Sequence, residues 1–281
     1  MNRSLAIRQA VTFTSIVYAM VLVIAIALPH ASATPIISLF TPALTVLLLA
    51  AFAAGPEGRR GLWRGIGLRT AGFSSWPPAL ILPVVFLFVA YGAAAGLGIA
   101  TINGPDLTGA GLASSVPNLG AGLIIGTVVI LGEEIGWRGY LLPRLQAVVP
   151  LRVAAVTTGL IHGVFHLPAI LLTTTYDSVG SRYVVAPVVV TTITFAGVFY
   201  AWLRQRSASI WPVAIAHNTA NIVFGLGAAA AVTSTPVALA YTAGETGLAT
   251  LVIVAAVAIW LLLRSSVWGG MRLAALSGLR A

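Results

Sequence analysis

The chain has 281 residues, of which 59% are apolar and only 7% charged, where a soluble globular protein carries about 25% charged residues. Its mean hydropathy is +1.01, and apolar runs of membrane-crossing length recur along it, which excludes a soluble domain, a disordered chain and a collagen-like one. The net charge of +9 is carried by arginines that fall between those runs, where positive charge orients a membrane protein, so nucleic acid is not an expected partner.

Eight spans are expected, over roughly 10–29, 36–54, 78–101, 119–143, 153–173, 185–203, 208–231 and 246–264. They describe an all-α polytopic membrane protein forming one transmembrane domain over residues 1–281. With Met1 in the cytoplasm, Arg182 is the one arginine assigned to the outer side. This asymmetry predicts an N-in, C-in, multi-pass protein of the cell membrane. Three acids, Asp106, Asp177 and Glu245, fall outside.

Arg3 and Arg8 before the first run, with Ala31-Ser32-Ala33 after it, resemble a signal peptide. The run exceeds the ~7–15 residues of a signal-peptide core, so a retained helix is expected; cleavage would leave seven spans. Residues 55–76 read as a basic interfacial connector on the cytoplasmic surface, with Trp63, Phe73 and Trp76 among arginines, and its glycines argue against a regular helix. Residues 265–281 read similarly. Cysteine is absent, so disulfides, thiolate metal sites and a cysteine nucleophile are excluded.

The informative residues are ionisable groups inside the hydrocarbon, each of which costs at least about 2.5–3.5 kcal/mol to insert. They are Glu133, Glu134 and Arg138 in the fourth span, His162 and His166 in the fifth, and His217 with Asn221 in the seventh. Counted from the cytoplasmic ends of their spans, Glu133 lies about 16 Å deep and His162, His166, His217 and Asn221 about 14–20 Å deep. Three helices therefore present polar groups at one height in the cytoplasmic half of the membrane, as a shared site requires. The motif-bearing core is 119–231, and cleavage of a substrate there would occur near the inner leaflet.

Glu134 and Arg138, His162 and His166, and His217 and Asn221 are each spaced i,i+4 and share a helix face. Glu133 is rotated by about 100° from Glu134, so one carboxylate can face a cavity while the other holds the arginine. Pro143 and Pro168 stand close by, and distorted backbone at such depth is tolerated where it lines an enclosed or watery cavity. A carboxylate and a neutral imidazole can bind and deprotonate water, and a second imidazole with an amide can stabilise an oxyanion. The same groups could instead ligate a divalent metal such as Zn2+. A buried Glu134–Arg138 pair that only braces helices is the bland reading of those two residues, and His162 reads as support for His166.

EEIGWRGYLLPRL (133–145), IHGVFHLP (161–168) and SIWPVAIAHNTAN (209–221) resemble the three motifs of the CPBP family. That family comprises CAAX-processing and bacteriocin-processing intramembrane proteases, including the Rce-type CAAX endopeptidases and the Abi proteins. The resemblance implies an intramembrane endopeptidase in which Glu133 and His166 activate water, His217 and Asn221 form the oxyanion site, and Glu134 and Arg138 support them. His162 departs from the pattern, because the position four before the motif histidine is commonly aromatic. The family has been described both as metalloproteases and as metal-free glutamate-type proteases. A metal-free site is the expectation, with Glu133, His166 and His217 the candidate ligands if a metal is bound. The implied substrate is a hydrophobic peptide or protein at the membrane lipid, prenylated in the eukaryotic type. Two other classes use the same residues: a catalytically silent immunity or scaffold protein that binds a hydrophobic peptide, and a proton-coupled transporter relaying protons through Glu133 and the histidines.

Overall fold

The computed structural model describes residues 2–52, 55–104, 108–174 and 179–269. Asp106, Asp177, Arg272 and Arg280, which enter the topology count above, lie outside them, as does most of 265–281. In chain order the helices are α1 (Arg3–Ala27), α2 (Thr34–Phe52), α3 (Pro56–Ile66), α4 (Trp76–Gly96) and α5 (Gly109–Glu134), then, after a π-helical turn at Ile135–Leu141, α6 (Leu142–Gln146). They continue as α7 (Leu151–Phe165), α8 (Leu167–Leu172), α9 (Arg182–Ser207), α10 (Trp211–Ala230), α11 (Pro236–Thr242) and α12 (Leu248–Arg264). Among the described residues, seven helical segments are long and apolar enough to cross a membrane. The eighth expected span, α12, has 17 residues, a length of about 26 Å. The chain is thus an all-α, multi-pass membrane protein.

Hydrogen bonds between helix ends show which ends share a face. On the arginine-rich face, Arg144 donates to Gln9 across from the start of α1, and Arg204 donates to the Gly65 carbonyl. On the opposite face, the Thr174 amide donates to Pro29 O and the Ser181 amide donates to the Tyr241 hydroxyl. Two short strands, β1 (Thr101–Ile102) and β2 (Ala231–Val232), pair antiparallel there. The up-and-down alternation read from arginine placement is therefore the alternation of the fold, and α1 packs into it: Phe13 is fully buried against Trp137 and Tyr140.

The connector at 55–76 differs from expectation, since Pro56–Ile66 is a helix. Proline stands at the start of α3, where its missing N–H costs nothing, and Gly67 closes the other end at φ 87°, a left-handed conformation that favours glycine. These end signals outweigh the internal glycines. Ile66 is fully buried, so this helix caps the arginine-rich end of the bundle.

Helices α7 and α9 approach each other closely in the core. A Cβ added at Gly197 would stand 2.5 Å from the Gly159 Cα, and one added at Gly159 or Gly163 would run into the backbone of α9 at Thr194 or Val190. Without a hydrophobic drive between helices in lipid, small residues that allow such contact supply the packing. Gly159 and Gly163 are spaced i,i+4 on α7 and bracket His162, so the seam that holds this helix also fixes the ring.

Candidate active site

Two proline-linked breaks set the site's backbone. Pro143 has no N–H and its ring would strike the carbonyl four residues earlier in an α-helix. The preceding segment Ile135–Leu141 is instead π-helical, and the Leu142 amide reaches back five residues to Trp137 O. Such π turns recur at functional sites, and this one begins directly after Glu133 and Glu134. The second break is at His166, which ends α7 just before Pro168 and opens α8.

The two neighbouring carboxylates take different partners. Glu134 is wholly buried; both its oxygens accept from Arg138 Nη1, at 3.0 and 3.1 Å, and Oε1 also accepts from His217 Nδ1 at 2.9 Å. Glu133 Oε2 sits 2.7 Å from His162 Nε2. His162 Nδ1 in turn lies 3.1 Å from Arg138 Nη1. A guanidinium only donates, so Nδ1 accepts and Nε2 carries the proton given to Glu133. His166 Nδ1 faces the His162 carbonyl at 3.1 Å; a carbonyl only accepts, so Nδ1 carries a proton and the lone pair of the neutral ring is on Nε2.

Aromatic rings hold these groups in place. Trp137 stacks on His162 with centroids 5.1 Å apart, and Tyr200 stacks on His217 at 5.4 Å. The Arg138 guanidinium lies 5.0 Å from the Tyr200 ring centre, a cation–π distance. All of this stands at the inner end of a cavity of about 570 Å3 lined by Glu133, His162, His166, His217 and Asn221 together with apolar side chains, a size usual for ligand sites.

The donor set also bears on a metal. Among the described residues, the group close enough to share an ion is Glu133, His162 and His166, with ligand atoms within 4.8 Å of one another; His217, a candidate from sequence, is turned to Glu134 instead. Ligands at ~2.0 Å from a tetrahedral zinc stand about 3.3 Å apart, whereas Glu133 and His162 are at 2.7 Å, a hydrogen-bond spacing with a proton between them. Freeing Nε2 of His162 would require a proton on Nδ1, aimed at the Arg138 donor. That leaves Glu133 and His166, fewer than the three protein ligands of a catalytic zinc site. The arrangement does not fit zinc as it stands.

Every site residue expected from the motifs lines the cavity or touches one that does: Glu133, His162, His166, His217 and Asn221 line it, Glu134 touches His217, and Arg138 touches His162. Sequence reasoning missed two residues. Tyr200 carries no pattern that separates it from other aromatics of its span. Asn218 is buried, and its amide donates to the Gly122 and Leu123 carbonyls of α5, tying α10 to the carboxylate-bearing helix; its place beside His217 was the available signal.

Residues 113–223 match the family model described as Rce1-like, type II CAAX prenyl endopeptidase. No curated protein matches the chain.

Proposed function

We propose, from the match of residues 113–223 to the CAAX-protease family model, that Glu133 is the general base of a metal-free intramembrane peptide hydrolysis. The match supports an intramembrane endopeptidase acting on a membrane-associated peptide; the roles below are our reading. Water sits between Glu133 and the Nε2 lone pair of His166. Glu133 takes a proton as the water oxygen attacks the scissile carbonyl carbon. The oxyanion is met by the Asn221 amide and by the Nε2–H of His217 when that ring is protonated, its Nδ1–H already committed to Glu134. Donors fixed before the reaction are worth more in a dry site than in water. Collapse of the intermediate breaks the C–N bond, and Glu133 returns the proton to the leaving amine.

His162 and Arg138 position these groups. Arg138 fixes the His162 tautomer, and His162 holds one carboxylate oxygen of Glu133, leaving the other for water. The observation that carries the reading is the 2.7 Å contact between His162 Nε2 and Glu133, which orients the base and at the same time removes a metal ligand. The test is cleavage of quenched-fluorescent apolar peptides by the purified protein in liposomes, with and without chelator. The expected result is cleavage that chelator leaves unchanged and that His166→Ala lowers by at least about 100-fold. Loss with chelator and recovery with added zinc would overturn the metal-free part, and absence of cleavage would overturn the whole.

A further inference from the structure

The cavity has a direction. On α10, which rises from the arginine-rich face, its lining runs from His217 through Asn221 and Phe224 to Ala228, a rise of about 17 Å. Helices α1, α2 and α12 contribute from the half away from that face, with Val21 near the end of α1, Pro35 and Ser38 at the start of α2, and Thr250 at the start of α12. Ile130 of α5 and Ala196, Phe199 and Tyr200 of α9 line the inner end beside Glu133 and His217. It reaches the loop of Gly244, Glu245 and Thr246 between α11 and α12, where Glu245 is exposed. Below the carboxylates the opposite holds. Ile66, Trp137, Leu141, Leu142, Ile210 and Ala214 are fully buried, and none of them lines the cavity.

Arginine placement puts the closed end in the cytoplasm. We propose that the substrate enters from the extracytoplasmic end, as an extended apolar segment of a translocated or membrane-inserted polypeptide. The proposal rests on the protease reading for what the occupant is, and on geometry alone for where it enters. At about 3.3 Å per residue, the 17 Å between Ala228 and His217 accepts roughly five extended residues. The apolar lining fits their side chains, and the scissile bond lies at the inner end. A polypeptide tail confined to the cytoplasm would meet the packed floor. The sequence-based expectation of cleavage near the inner leaflet keeps its depth and changes its route.

The chain's lack of cysteine makes single-cysteine accessibility the direct test. Gly225→Cys is placed in the cavity where an added Cβ meets nothing within 4 Å; Thr246→Cys marks the mouth and Arg206→Cys the cytoplasmic end. Sealed right-side-out vesicles are treated with a membrane-impermeant cationic methanethiosulfonate, and free thiol is read by mass. The expected result is loss of free thiol at Gly225→Cys and Thr246→Cys before permeabilisation and at Arg206→Cys only afterwards, with peptide cleavage lost once Gly225→Cys is modified. Three results would overturn the entry route: Gly225→Cys reacting only after permeabilisation, Gly225→Cys not reacting at all while Thr246→Cys does, or Arg206→Cys reacting from outside. Labelling does not depend on catalysis, so a protein that labels as expected but cleaves no peptide would sink the protease reading and leave the route standing.

Discussion

The halves of the bundle on either side of Glu133 are built from the same residue types but packed for different ends. In the cytoplasmic half, Phe13, Trp137, Leu141, Leu142 and Ile210 are fully or nearly fully buried, and α7 meets α9 glycine to glycine. In the other half the cavity opens between the helices, with smaller packed clusters beside it around Tyr91, Ala94 and Ala243 and around Ile170, Val185 and Val189. The charged groups fall at the boundary, so that Glu134 and Arg138 belong to the packed floor and Glu133 to the open chamber. Rigid packing below is what lets hydrogen bonds aim a carboxylate and three imidazoles without help from substrate, and space above is what lets a peptide reach them.

The largest expected effect is at the boundary itself. Arg138→Leu removes the charged partner of Glu134 and the group that sets the His162 tautomer, leaving a buried carboxylate with only its His217 contact, a loss of about 3–5 kcal/mol. Thermal unfolding in detergent should show it as a lowered transition with poor yield of folded protein. Next, one substitution made in both halves sharpens the contrast. Gly197→Ala places a Cβ against the Gly159 backbone and should cost about 1–3 kcal/mol. Gly225→Ala meets open space and should be neutral or stabilising by up to about 1 kcal/mol, the helix-propensity gain over glycine. Opposite shifts in the two melting curves are the expected outcome; two equal losses would mean that the upper half is as tightly packed as the lower.

The spans, their alternation and the common depth of the polar groups were legible because bilayer thickness and the cost of burying charge act on every residue alike. The Glu134–Arg138 pairing was legible because i,i+4 neighbours face each other whatever surrounds them. Which imidazole meets which carboxylate was not. That depends on the rotational phase of α5, α7 and α10 about their axes, which spacing within one helix does not carry. His162 is the instructive case, read as a support for His166 and found against Glu133 through the glycine seam between α7 and α9. The helix at 56–66 was obscured for another reason, since internal glycines were weighed above the proline and glycine at its ends.

The central claim is that Glu133 is the base and Glu134 part of the scaffold, and replacing the first separates them most directly. Glu133→Gln keeps size and a hydrogen-bonding oxygen beside His162 while removing the base. Peptide cleavage in liposomes should fall by about 10²–10⁴-fold, the range for a lost general base, with the thermal transition at its wild-type position. Cleavage by Glu133→Gln at the wild-type rate would contradict the account.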